Sequence, residues 1–371
     1  MFDKLISNKE KWFNLTSKTS LYDRTLIWIF FALLTIGFVM VTSASIPAGI
    51  KLHNNPLHFI SRDVLYILLS IPTLLFFVQI PSSKWEKYNV PLFLLSLVLL
   101  LVVLFIGHSV NGSTRWIRVA GINFQPAELA KLTIICYFAG FYVRKFEEMR
   151  NRTLGSTAVI FVLTFGMLFI IGAKLMQFLV LSAVGGVVFF IFVRFSEYRL
   201  KRVQTFLDPW ADAYGDGFQL TNAQMAFGQG ELFGKGLGNS VQKLGYLPEA
   251  HTDFIMAIAG EELGMIGILG IITLFVLLSL KAFKISKESL LLEERFKGFF
   301  SFGIGVWIFL QSFVNLSVAT GLLPTKGLTF PLISYGGSSL IVTSIVVAIL
   351  LRIDYENRLA KIEYATPRNK E

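Results

Sequence analysis

The stretch YLPEAHTDFIMAIAGEELGMIGILGIITLFVLLSL, residues 246–280, decides the fold. From Ile255 to Leu280 it is almost wholly apolar, long enough to cross a hydrocarbon core of ~30 Å at about 1.5 Å per residue. Immediately before this run stand Glu249, His251 and Asp253. Polar chemistry is therefore gathered at the mouth of a membrane-length helix.

Outward from that stretch the same signal repeats. Hydrophobic residues make up 54% of the 371-residue chain and charged residues 16%, with mean hydropathy +0.63. Candidate spans fall at 26–45, 63–80, 89–107, 128–143, 155–172, 175–193, 253–280, 299–318 and 331–351. The chain reads as an all-α polytopic membrane protein with one membrane domain over 1–371. A tail at 1–24, a long polar loop at 194–252 and a tail at 352–371 flank or interrupt the spans. That loop carries FLDPWADAYGDGFQLTNAQMAFGQGELFGKGLGNS, whose glycine turns and aromatic residues read as an ordered cap. The single cysteine, Cys136, lies in an apolar segment, which excludes a disulfide framework and a thiolate metal site. The first 24 residues are polar and carry Lys4, Lys9, Lys11, Lys18 and Arg24, so LIWIFFALLTIGFVMV, 26–41, reads as a retained span. TSAS at 42–45 is only a faint likeness of a cleavage site.

A net charge of +10 reads as the basic excess of cytoplasmic loops and points to no nucleic-acid partner. Lys and Arg number five in the N-terminal tail, two at 82–88, four at 144–152, five at 281–297 and five at the C-terminus. The loops 46–62, 109–127 and 319–330 carry two, two and one. Both termini are thus expected inside and 194–252 outside. The parity then fails, because 153–193 is about 40 residues, two spans long, where an odd number of crossings is required.

Three blocks, NGSTRWIRVAGINFQPAELAK, QLTNAQMAFGQGELFGKGLGNSVQKLGYLPEAHTDFIMAIAGEELG and GLLPTKGLTFPLISYGGSS, resemble the SEDS family of cell-wall polymerases, the division member more than the elongation member. The resemblance implies ten spans, both termini in the cytoplasm and a large outer loop between spans seven and eight. It implies a peptidoglycan glycosyltransferase that polymerises lipid II, a disaccharide–pentapeptide on undecaprenyl pyrophosphate, at the outer face of the bacterial inner membrane. It further implies a septal location, a class B penicillin-binding protein as partner and other divisome membrane proteins nearby. The departure falls where the parity failed: VRKFEEMRNR passes straight to TLGSTAVIF, without the family's extra span and its Pro-Asp-(apolar)-Gly ending.

Glycan polymerisation needs a base for the attacking sugar hydroxyl and cations for the departing pyrophosphate. A carboxylate at the membrane boundary suits the first need, since partial desolvation raises its pKa towards the working pH. Asp253 stands there and matches the family's catalytic aspartate in PEAHTDF; read from the residues alone, an Asp at a helix start is most often an N-cap, a task Thr252 could take instead. Glu249 and His251 either hydrogen-bond the loop to its helix or contact substrate or metal. Their spacing matches no zinc signature, so no protein-held cofactor is expected, although a divalent cation such as magnesium or manganese could assist the pyrophosphate. Arg115, Arg118, Lys235, Lys243 and Lys326 qualify as outer-side cations, and the resemblance favours Arg115 and Lys326. Glu128 and Lys131, with Glu261 and Glu262, are charges at membrane depth, where a Lys131 pair with one of the latter two would pin helices or line a substrate cavity. ISYGGSS, 333–339, supplies small residues for close helix approach. A lipid II flippase and a non-catalytic division scaffold or defective variant are the alternatives. No internal repeat supports the flippase, and the polar inventory is weighted to the outer side.

Overall fold

The computed structural model describes residues 22–110, 113–119, 122–151, 207–215, 217–323 and 327–365. The helices are α1 (Arg24–His53), α2 (His58–Phe77), the short α3 (Ser82–Lys87), α4 (Asn89–Ile106), α5 (Pro126–Asn151), α6 (Phe218–Gly230), α7 (Ile255–Leu291), α8 (Arg295–Thr320) and α9 (Gly337–Ala365). Six of them, α1, α2, α5, α7, α8 and α9, are long and apolar enough to cross a membrane, and α4 contains a shorter apolar helix, Asn89–Val103. Candidate spans 155–172 and 175–193, and with them the parity question, lie outside the described residues.

The bundle is organised around α9. The apolar part of α9 is 89% buried, that of α2 only 22%, so α9 is the core and α2 turns Leu65, Leu68, Leu75 and Phe76 outward to lipid. Small residues let the helices close on one another. A methyl on Gly337 would meet the Tyr66 ring at 2.2 Å, and one on Gly37 the Leu332 carbonyl oxygen at 2.1 Å. The groups assigned to the cytoplasm by charge pattern meet at one end. Lys281 reaches Asp23, the N-cap of α1, at 2.6 Å, while Glu356 accepts from Arg352 Nε at 2.8 Å and from the Ser82 backbone N–H at 3.1 Å.

Several boundaries differ from the sequence expectation, α7 running to Leu291 rather than 280 and α9 to Ala365 rather than 351. The first helix runs past residue 45, through Pro47, to a left-handed Asn54 that closes it. The last begins at Gly337 rather than 331, because 331–336 is spent in turns, with the Tyr335 N–H donating to the His251 carbonyl at 2.9 Å. The loop 109–127, expected to be irregular in an all-α protein, instead contains an antiparallel sheet in the order β1 (His108–Val110), β2 (Ser113–Val119), β3 (Ile122–Phe124), with Ile117 opposite Phe124. STRWIRV is rich in β-branched and aromatic residues, and Asn-Gly precedes it and Ala-Gly follows it, which is a hairpin signature.

One device in α7 sets the outer cap. The helix breaks at Gly264 (φ 69°, ψ −172°), and the loop segment 231–236 threads the gap. The N–H groups of Lys235 and Gly236 donate to the carbonyls of Glu261 and Glu262 at 2.9 and 3.0 Å, while those of Met265 and Ile266 donate to Glu231 and Leu232 at 2.9 and 3.2 Å. These backbone groups, freed by the break, are thus bonded again, the condition for interrupting a helix at membrane depth. No side chain fits there, since a methyl on Gly264 would lie 2.4 Å from the Gly234 nitrogen.

Candidate active site

Asp253 lies in the turn that leads into α7, at the N-terminal end of that span. The cap of α7 is Phe254, without a side-chain bond, so neither Asp253 nor Thr252 is spent on capping. Instead the Thr252 hydroxyl donates to Glu249 Oε2 at 2.6 Å, and the Glu249 carbonyl accepts the N–H groups of Thr252 and Phe254 at 3.1 and 3.2 Å. Glu249 itself is left-handed (φ 55°), which folds the chain back tightly enough to set its carboxylate near that of Asp253.

The Asp253 carboxyl is half-buried. Burial pushes it up to about 7, the Glu249 charge pushes the same way, and the Arg115 guanidinium opposes both. Gly327 borders the space between carboxylate and guanidinium: a methyl there would stand 2.9 Å from Asp253 Oδ2 and 4.0 Å from Arg115 Nη1. His251 faces away from this gap. Its ring packs on Phe59 (4.6 Å between centroids) and Tyr335 (5.6 Å), and burial lowers its pKa, with Glu249 partly offsetting, so it is neutral at neutral pH.

Arg115 and Arg118 are both on β2, three residues apart, so their side chains leave opposite faces of the strand. Arg115 is the one that reaches Asp253. Lys326 lies outside the described residues, next in the chain to Gly327.

The intramembrane charges pair otherwise than expected. Lys131 approaches Glu128 Oε2 at 2.7 Å, off the angle of a hydrogen bond, and donates to Gln311 Oε1 at 2.9 Å; it does not meet Glu261 or Glu262. One helical turn separates Lys131 from Glu128, so the nearer carboxylate takes it. The other two glutamates, fully buried, are held by the outer loop. Glu262 accepts from Lys243 Nζ at 2.6 Å and from Ser43 Oγ at 2.7 Å, and Glu261 from Ser240 Oγ at 2.5 Å and the Val241 N–H at 2.9 Å. The Lys243 ammonium is thereby engaged in a buried pair, apart from the Asp253 gap. Sequence reasoning missed Gln311, Asn315 and Ser43. The first two were findable, as amides four apart on one face of an apolar helix. Ser338, read only as a packing residue, also accepts the Gln125 N–H at 2.9 Å and so ties α9 to the start of α5.

Comparison with known proteins places this bundle, with its carboxylate at the mouth of one span, among relatives. The cell cycle protein family FtsW/RodA/SpoVE matches residues 24–154 and 149–359. The chain belongs to that family. A relative from Haemophilus ducreyi, named "Probable peptidoglycan glycosyltransferase FtsW", is 60% identical over 98% of both chains. One of the same name from Escherichia coli O6:H1 is 45% identical over 94% of this chain and 89% of its own. Among solved structures, RodA of Thermus thermophilus is 27% identical, with TM-score 0.56 over 91% of this chain and 97% of its own. A chain of a peptidoglycan synthase complex, at 24% identity, shares the fold with TM-score 0.66 over 91% of this chain and 98% of its own. The two family blocks meet at 149–154, where the sequence reading places the missing span. The alignment with the Pasteurella multocida relative runs over 391 positions against 371 residues, so that relative carries residues with no counterpart here.

Proposed function

We propose that this multi-pass membrane protein is a peptidoglycan glycosyltransferase that polymerises lipid II at the outer face of the inner membrane during septal wall synthesis. The observation that carries the reading is the half-buried Asp253 carboxyl, raised to about 7 and facing Arg115 across Gly327 at the outer end of a membrane helix. A base poised near the working pH is what hydroxyl activation requires. The sugar 4-hydroxyl of one lipid II attacks the anomeric carbon of another; the new glycosidic C–O bond forms as the bond to pyrophosphate breaks. The hydroxyl proton passes to Asp253 and then to water, and undecaprenyl pyrophosphate leaves.

Arg115, and Lys326 beside Gly327 in the chain, offset the charge that grows on the leaving pyrophosphate. Glu249 tunes Asp253, and neutral His251 supports the turn. Among the described residues no group of three His, Cys, Asp or Glu is placed to hold a metal. In this reading a magnesium or manganese ion that assists arrives with the pyrophosphate, keeping most of its water shell. A class B penicillin-binding protein as the partner is supported by the fold shared with a chain of a peptidoglycan synthase complex that coordinates polymerization and crosslinking.

The test is polymerisation of labelled lipid II by the purified chain with its cognate transpeptidase. Asp253→Asn is expected to express and fold normally and to make no glycan ladders; ladders from that variant sink the assignment. A version with the missing span restored runs beside it. Ladders from the restored version alone would mean that the reading holds for the family and not for this chain.

A further inference from the structure

α8 carries Trp307, Gln311 and Asn315 at four-residue spacing, hence on one face. This face carries the helix's two amides, and all three residues are buried. The Gln311 amide nitrogen donates to the Thr329 carbonyl at 2.9 Å, while its oxygen accepts from Trp307 Nε1 at 2.6 Å and Lys131 Nζ at 2.9 Å. One turn further on, the Asn315 amide nitrogen donates to two carbonyls, that of Leu328 and, at 3.2 Å, that of Asp253 itself.

The two carbonyls belong to segments far apart in the chain. One is the turn that carries the acid; the other is the irregular stretch after α8, whose Gly327 borders the acid's side chain. A single nitrogen with two hydrogens is the group that can join them, and its assignment follows from chemistry. Turned over, the amide would aim its oxygen at two other oxygens. As placed, Asn315 Oδ1 has no partner among the described residues, so all of the side chain's polar bonding goes to this bridge.

We propose that Asn315 is a positioning residue that holds the 327–329 wall against Asp253, with Gln311 carrying the same tether on to Lys131. The catalytic consequence rests on the polymerase reading above; the tether itself does not. Removing the amide takes its donor from two half-buried carbonyls and lets the wall move away from the acid. Misplacement of this kind slows the chemical step more than it weakens substrate binding.

Two variants and two readouts test this. Asn315→Ala, assayed on labelled lipid II, is expected to lose about 10- to 100-fold in kcat with KM within about threefold. Asn315→Asp keeps the shape, lacks the hydrogens and adds a negative charge near Asp253. Its acid limb of activity is expected at higher pH than the parent's. Hydrogen–deuterium exchange read over 322–334 is expected to quicken in both variants, while the middle of α8 and of α9 exchanges as in the parent. Parental kcat and pH profile, or unchanged exchange over 322–334, would overturn the proposal. A slow variant whose exchange quickens throughout α8 would overturn it too, as that marks a helix made unstable. If the parent makes no ladders, the polymerase reading falls, and exchange over 322–334 still decides whether Asn315 joins the two segments.

Discussion

Asp253 shows how much a few neighbours decide at the scale of one residue. A carboxyl in water ionises near 4; here burial and the Glu249 charge raise it to about 7 against the pull of Arg115. A base works only when ionised. Activity of the intact enzyme is therefore expected to fall below pH 7, by about tenfold per pH unit, as Asp253 takes its proton. The two neighbours act with opposite signs. Arg115→Gln removes the opposing charge and should move the acid limb of kcat/KM to higher pH, while Glu249→Gln should move it lower. Limbs that stay in place in both variants would remove Asp253 as the titrating base. The position of Asp253 was legible in YLPEAHTDF, because a charged trio beside an apolar run is conspicuous. Arg115 was favoured over Arg118 only through the family resemblance; the residues alone did not separate them, since a strand pairing had to turn the two to opposite faces.

At the scale of elements the broken α7 and its loop form one unit. Gly264 has a backbone conformation that L side chains rarely adopt and has the Gly234 nitrogen where a Cβ would go. Gly264→Ala is expected to destabilise by more than about 2 kcal/mol, read as a lowered thermal midpoint in detergent. A parental midpoint would show that the loop does not thread the break. The pair beneath it makes a separate demand. Lys243→Met leaves Glu262 charged and buried with only Ser43 and a backbone N–H, a loss of about 3–5 kcal/mol by comparison with other broken buried pairs. Adding Glu262→Gln should recover most of that loss, and a double variant as unstable as the single would refute the pairing. Depth in the span was readable for both glutamates; their partners were not, because Ser43 and Lys243 lie 219 and 19 positions from Glu262.

For the whole molecule the open question is sidedness across the stretch with no counterpart to the family's extra span. The count of basic residues leads us to expect the end of the bundle where Lys281 pairs with Asp23 and Arg352 with Glu356 in the cytoplasm, and the start of α7 outside. Asn239 is exposed in the loop before α7, and Cys136 is buried. In a Cys136→Ala background, Asn239→Cys is expected to react with an impermeant maleimide on intact spheroplasts, whereas Lys361→Cys should react only after lysis. The reverse pattern would invert the topology and place Asp253 on the side away from the wall.

The sequence by itself determined the class of the molecule, the apolar runs that become its described spans, and the motif that holds the acid. These follow from hydropathy, charge and short spacing, which act on neighbours along the chain. Only the tertiary structure decided that α7 breaks at Gly264, and that Lys243 and not Lys131 meets Glu262. It alone disclosed that Asn315 joins the acid's turn to the wall beyond α8. Each of these is a contest among partners distant in sequence. It is settled by which donor the packed helices bring within hydrogen-bond reach of a buried acceptor, a quantity that no local pattern of residues carries.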